Sequence, residues 1–368
     1  MRETASNRIE MLRFPLIVGV VLIHNYSTTA HQNPTGSGSL WFEFAHRVIS
    51  EGIARVAVPL FYLISGYLFF IGFNGYSDYR KKLARRVSTL LIPYIFWNLL
   101  ALWVYGFGEW FKPTSRLFSS SARFYVPGFH AFDYVNALLG ITARPIAYQF
   151  WFIRDLMALV LLAPVIRFVF MRKMGLPLLL ILFGCWYAGI WPAPWPAAEG
   201  TLFFWVGAYL CYVRADLSIF DKSGKVLVPL FLVLLACDAT YFGRAADVYV
   251  HHAMVLLGVL SCWWLTGMIA GQHQKTGRML SALGASSFFV FAAHEPLLTI
   301  MWKLGLRLAP HENGVAFLAM YLCIPTALIV FLVFAHRMLE RVAPRFTAAI
   351  AGGRSQRHTS MTPTAVSV

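Results

Sequence analysis

Long unbroken apolar blocks govern what this chain can fold into. Several reach the ~20 residues that a helix needs to cross a bilayer core, and they do not alternate with polar positions as half-buried strands do. Lipid offers backbone N–H and C=O groups no partner, so such blocks are expected to be helices that satisfy their own backbones. Composition agrees: the 368 residues are 58% hydrophobic and 13% charged, against roughly a quarter charged in a soluble domain. The expected fold class is all-α, a polytopic membrane helical bundle.

About ten spans are predicted, at Ile9 to Thr29, Gly52 to Phe73, Val87 to Phe107, Ala147 to Phe170, Leu176 to Trp191, Thr201 to Val213, Val226 to Phe242, His252 to Ala270, Ser286 to Leu304 and Val315 to His336. The fifth and sixth flank Pro192, Pro194 and Pro196, and a single re-entrant hairpin there is the alternative to two crossings. The net charge of +15 would raise nucleic-acid binding in a soluble protein, but its distribution points elsewhere. Assigning alternate loops places 21 Lys and Arg on the side of both termini and 9 opposite, with Arg154 inside a span. Both termini are therefore predicted to be cytoplasmic. The basic clusters set this topology and meet anionic lipid headgroups, and no nucleic-acid partner is expected. The first span lacks a cleavable signal pattern and is expected to stay attached. Five cysteines within apolar spans form no CxxC pair, so neither zinc nor a disulfide framework is expected. A membrane domain over residues 1–350 is predicted to end in a disordered cytoplasmic tail, 351–368.

Ionisable groups within spans mark where chemistry belongs, since each costs at least a few kcal/mol near the bilayer centre without a partner or a role. Arg13 and His24, in MLRFPLIVGVVLIHNYS, are 11 residues apart. That is three helical turns with roughly 20° of drift and a rise of ~16 Å, so they share a face. The alternatives are a snorkelling Arg13 with a core histidine, or a helix that starts at Pro15 and leaves Arg13 on a loop. Arg154 and Asp155, in QFWFIRDLMALVLLAP, are either an interfacial ion pair or a carboxylate that orients an imidazole. His294 and Glu295, in SSFFVFAAHEPLL, either line an aqueous cavity or mark the end of a span. Ser65 and Gly66 allow close helix packing, with a substrate-facing Ser65 as the other reading. A basic loop precedes LLIPYIFW, where Lys82, Arg85 and Arg86 either hold a phosphate-bearing ligand or set topology.

Together these segments resemble the acyltransferase 3 family of integral membrane O-acyltransferases, over Arg8 to about His336. The resemblance rests on Arg13 and His24 as the family's Arg-x10-His pattern. VPLFYLISGYLF, the basic run into LLIPYIFW, FWFIRDLM and SSFFVFAAHEPLL follow in the family's order. The Arg-x-x-Arg element before the third span is not cleanly met, because Ser88 stands where a second Arg would follow Arg86.

The resemblance implies transfer of an acyl group, usually acetyl, from cytoplasmic acyl-CoA to a hydroxyl of a cell-surface or periplasmic carbohydrate, at the bacterial inner membrane. Acetyl-CoA would be the donor substrate, with no permanently bound cofactor. Arg13, Lys82, Arg85 and Arg86 would hold its phosphate end, and His24 would act as general base or acyl relay, oriented by Asp155. Ser65, Trp151, Arg154, His294 and Glu295 would line the substrate cavity. The outer loop from Gly108 to Ile146 is aromatic-rich, and either caps that cavity or lies at the interface. The competing class is a transporter or flippase for a glycolipid or polysaccharide precursor, which would favour internal repeats; none is evident in the sequence.

Overall fold

The computed structural model describes residues 2–25, 39–118, 125–241, 247–308 and 313–353. Among them every regular element is helical, with no strand. The helices are α1 (Arg2–His24), α2 (Ser39–His46), α3 (Ala57–Phe70), α4 (Tyr76–Arg86), α5 (Ile92–Trp110), α6 (Lys112–Phe118), α7 (Ala131–Leu139), α8 (Trp151–Leu161), α9 (Ala163–Met171), α10 (Gly175–Tyr187), α11 (Ala198–Tyr212), α12 (Gly224–Tyr241), α13 (Asp247–Gln272), α14 (Gln274–Gly284), α15 (Ser287–Leu308), α16 (Gly314–Val342) and α17 (Pro344–Ile350).

Five segments are long and apolar enough to cross a membrane: Ser39–Phe70, Tyr76–Trp110, Gly224–Tyr241, Asp247–Gln272 and Gly314–Val342. The pair α14 and α15, bent by 61°, makes a sixth when counted as one span. The other predicted spans take different forms. The fourth is divided at Leu162 into α8 and α9, with Pro164 in the first turn of α9. The fifth and sixth are helices of 13 and 15 residues, shorter than a full crossing requires.

One local expectation is corrected and one alternative is excluded. The basic run before LLIPYIFW is not a loop but helix α4, which passes through a π-helical turn (Val87–Leu91) into α5. Its Lys and Arg side chains help solvate a surface helix, and none of its residues is fully buried. The helix of the first span does not start at Pro15. It runs from Arg2 with Pro15 inside it, so Arg13 is helical.

The packing centres on α1, which touches α3, α13, α14 and α15. The tightest crossing joins α3 to α11. A Cβ on Gly66 would lie 2.1 Å from the Phe204 carbonyl oxygen, and one on Gly207 would lie 2.0 Å from that of Leu63. Two backbones meet there because neither helix carries a side chain at the contact. Only α3's glycine was singled out from sequence; its partner on α11 was not.

Prolines break or loosen two further helices at positions that matter for the site. Pro296 has no N–H and disfavours helical geometry at the residue before it, so Glu295 sits at φ −106°, ψ 137° within α15. Pro325 similarly removes one donor inside α16. Each leaves the carbonyl four residues earlier without its helical partner, at Ala292 and Tyr321. At the far end of the chain, α17 packs under α5, with the Trp97 indole N–H donating to the Ile350 carbonyl at 3.0 Å. Ala351 is buried beside it, and the rest of the predicted tail, beyond Gly353, lies outside the described residues.

Candidate functional site

A cavity of about 630 Å³ runs along one face of α1, lined by both Arg13 and His24. It falls within the ~300–1,000 Å³ usual for small-molecule sites. Their shared lining bears out the helical face inferred from the 11-residue spacing. Arg86 joins Arg13 on the wall, and Ile17, Val20, Leu68, Leu90 and Phe288 make much of the apolar stretch. The same wall carries the polar groups His46, Glu51, Arg55, Arg144, Tyr148, Gln149 and Glu199. Ser65 and Trp151, both expected at the cavity, line it.

His24 ends α1 and is 9% exposed. The neighbouring rings are Tyr148, edge-on at 5.0 Å between centroids, and His294, stacked at 5.5 Å. His294 is fully buried, with Nδ1 2.7 Å from the Phe291 carbonyl and Nε2 without a hydrogen-bond partner among the described residues. Its neighbour Glu295 accepts from the Tyr148 hydroxyl at 3.0 Å and from Thr299 Oγ1 at 2.7 Å. The carboxylate that reaches Tyr148 sits where the backbone of α15 is non-helical.

The carbonyls orphaned by Pro296 and Pro325 are filled by amides adjacent to the site. Asn25 donates Nδ2 to the Tyr321 carbonyl at 2.8 Å, and its Oδ1 accepts from the Trp302 indole at 2.9 Å. Gln149 donates Nε2 to the Ala292 carbonyl at 3.1 Å. Each amide sits beside a residue that lines the cavity, His24 in one case and Tyr148 in the other. Ser50 adds a bond to the Leu22 carbonyl at 2.6 Å and another to the Tyr321 hydroxyl at 2.6 Å. This network fixes the end of α1 through buried, satisfied polar groups, which rigidify where they are complete.

Arg154 and Asp155 stand elsewhere. Neither lines the cavity. Asp155 accepts from Arg154 Nε at 3.0 Å with one oxygen and from the Ala197 N–H at 2.9 Å with the other. Arg154 also donates to the carbonyls of Gly140 and Ala143 and lies over the Trp195 ring at 5.2 Å. The pair ties α8 to the loop after α7 and to the proline-rich turn before α11. The rings set beside His24 belong instead to Tyr148 and His294.

The basic residues also separate. Arg86 lines the cavity with its guanidinium over Phe69 at 5.9 Å. Lys82 is turned to the Ile71 carbonyl at 2.8 Å, and Arg85 is exposed; neither lines the cavity. Of the aromatic outer segment, residues 119–124 lie outside the described residues. Tyr148, just beyond its predicted end, reaches the site, and the Ala147 N–H before it donates to Asn98 Oδ1 at 3.1 Å. Tyr148, Gln149, Asn25, Glu51, Arg55 and Glu199 were not singled out from sequence. Only Asn25 and Gln149 carried a signal, as amides inside otherwise apolar runs.

Residues 6–336 match the family model described as an acyltransferase domain. The chain is also 26% identical over 375 residues to the succinoglycan biosynthesis protein ExoH of Rhizobium meliloti (strain 1021), covering 96% of this chain and 94% of that protein. No solved structure matches. The family model covers nearly the whole helical bundle and both ends of the cavity, and the chain belongs to the acyltransferase 3 family of membrane acyltransferases.

Proposed function

We propose that the protein is an O-acyltransferase that moves an acyl group, acetyl in the first instance, from cytoplasmic acyl-CoA to a hydroxyl of a cell-surface or periplasmic carbohydrate. The observation that carries this reading is a single cavity with Arg13 and Arg86 in its wall and His24 about 16 Å along the same helix from Arg13. Coenzyme A is a phosphate-bearing head on a long, thin arm. Two guanidinium groups suit the phosphates, since they present planar, permanently charged forks. The apolar stretch between suits the arm, and the imidazole lies where the thioester would arrive.

In the direct route, His24 takes the proton from the acceptor hydroxyl as its oxygen attacks the thioester carbonyl. The new C–O bond forms, the C–S bond breaks, and the proton passes to the departing thiolate. In the relay route the acyl group rests on His24 before transfer. Tyr148, held by Glu295, and His294 would keep the ring in place in either case. The similarity to a succinoglycan biosynthesis protein supports a polysaccharide acceptor. The charge distribution supports cytoplasmic termini in the inner membrane and a bundle of about ten crossings, surrounded by lipid.

The experiment is twofold. Purified protein should hydrolyse acetyl-CoA or exchange its acetyl group with free CoA, which a transporter or flippase would not do. Surface polysaccharide from cells with and without the protein should differ in ester-linked acyl groups by mass and NMR. Inert acetyl-CoA together with unchanged polysaccharide would overturn the reading in favour of a transporter.

A further inference from the structure

One buried hydroxyl in the cavity wall has no use in the fold. Ser287, the first residue of α15, lines the cavity and is 3% exposed, and its Oγ has no hydrogen-bond partner among the described residues. A buried polar group left unpaired costs free energy, so for packing alone alanine would serve better at this position.

The place of Ser287 along the cavity follows from its neighbours. Ser286 Oγ lies 3.1 Å from His336 Nδ1, which ties the start of α15 to α16. Gly284, just before it, rests against α1, where a Cβ would lie 3.3 Å from the Glu10 carbonyl oxygen and 3.9 Å from Arg13 Cβ. At the other end, His294 stacks on the His24 ring at 5.5 Å. The backbone between is helical, since the non-helical geometry comes only at Glu295. Seven residues at 1.5 Å each set Ser287 about 10 Å from His294 along the axis. The hydroxyl therefore lies between the Arg13 end of the cavity and the His24 end.

We propose that Ser287 hydrogen-bonds the far amide of the donor's pantetheine arm, the one nearer the phosphates, so that the arm as well as the phosphate head is recognised. The inference rests on the acyltransferase reading and adds a residue that sets donor specificity. The arm carries two amides. An extended chain advances about 1.2 Å per bond, so the near amide begins about 4 Å from the thioester sulfur and the far carbonyl carbon lies about 10 Å from it. With the thioester at His24, it is the far amide that falls level with Ser287. An amide drawn into an apolar stretch without a partner weakens binding, and Ile17, Val20, Leu68, Leu90 and Phe288 in the wall offer none. A serine hydroxyl can donate to the amide carbonyl or accept from its N–H.

The test uses the full-length purified chain in detergent with three thioesters. Acetyl-CoA and S-acetylpantetheine carry both amides, whereas S-acetyl-N-acetylcysteamine stops after the near one. Turnover is read as thiol released. Ser287→Ala should lower kcat/KM about three- to tenfold for the first two donors, the worth of one hydrogen bond, and less than about twofold for the third. Ser287→Cys keeps the volume but is a weak hydrogen-bonding group, and should show the same pattern. Without donor, Ser287→Ala should unfold at the wild-type temperature or above it, because an unpaired polar group has been removed. Equal loss on all three donors, no loss on any, or a clearly lower unfolding temperature overturns the proposal. A wild-type chain that turns over none of the three overturns the acyltransferase reading, and the assignment of Ser287 falls with it.

Discussion

Asn25 donates its side-chain amide to the carbonyl of Tyr321, the acceptor that Pro325 leaves without a helical donor four residues on. The bond couples the residue after His24 to the middle of α16, so a proline that weakens one helix fixes the end of another. Asn25→Leu should therefore lower stability by about 1–3 kcal/mol, the cost of stranding buried polar groups, and lower acyl transfer with it. Pro325→Ala restores a backbone N–H to α16. In that background the penalty of Asn25→Leu should shrink, since the Tyr321 carbonyl again has a donor. A double-mutant cycle on thermal unfolding in detergent measures this coupling, and strict additivity would refute it.

The donor end makes a sharper distinction than the sequence could. Arg86 lines the cavity while Arg85, one residue before it, is exposed. Arg86→Ala should raise the KM for acetyl-CoA about tenfold or more, and Arg85→Ala should leave it within twofold. Arg13→Lys should also weaken donor use, because a point charge replaces a bidentate fork. Equal donor KM values for Arg85→Ala and Arg86→Ala would mean that the basic helix contributes only a diffuse field.

How much of this was legible in the sequence follows from what kind of signal each residue leaves. Hydropathy reads the number of residues in an apolar block, so α3, α5, α12, α13 and α16 were visible, while the splitting of the fourth span at Leu162 was not. Periodicity reads one helix at a time. It placed Arg13 and His24 on a common face, but it carries no information about which other helix meets that face. Tyr148 and Glu199 come from segments over 100 residues away from His24 and leave no periodic trace. Asp155 misled for the opposite reason: a buried carboxylate looks the same in sequence whether it faces an imidazole or an arginine and a backbone N–H.

Gly66 and Gly207 give a prediction about folding alone. Gly66→Ala places a methyl group 2.1 Å from the Phe204 carbonyl oxygen, which cannot move without shifting α11. The expected result is a loss of about 1–3 kcal/mol or more, as for overpacked cores, seen as lower membrane abundance and easier thermal aggregation. Gly72, with open space around it but φ +65°, should instead respond only through its backbone conformation. Comparable abundance of Gly66→Ala and wild type would show that the two helices can separate at little cost.

Tyr148 contributes a ring to His24 and a hydroxyl to Glu295, and the two can be separated. Tyr148→Phe keeps the ring and removes the bond, so acyl transfer should fall about 3- to 10-fold with normal abundance. Tyr148→Ala removes both and should fall further. If Tyr148→Phe is as damaging as Tyr148→Ala, the hydroxyl is the active part, and direct contact with substrate should then be sought.

His24 decides the mechanism. A general base or acyl relay must gain a proton or an acyl group at an imidazole nitrogen, and neither alanine nor glutamine can do so at neutral pH. His24→Ala and His24→Gln should both lose roughly 10²- to 10⁴-fold in transfer to carbohydrate. Both should still insert and bind acetyl-CoA through Arg13 and Arg86. A histidine that only fills space between Tyr148 and His294 would rank the variants differently. Glutamine would then be tolerated, because it keeps volume and hydrogen bonding, and alanine would reduce abundance through lost packing. Membrane level and acetyl incorporated into surface polysaccharide, measured on both variants, distinguish the two patterns. Normal acetylation by a well-expressed His24→Gln protein would exclude proton transfer and acyl relay at this residue together.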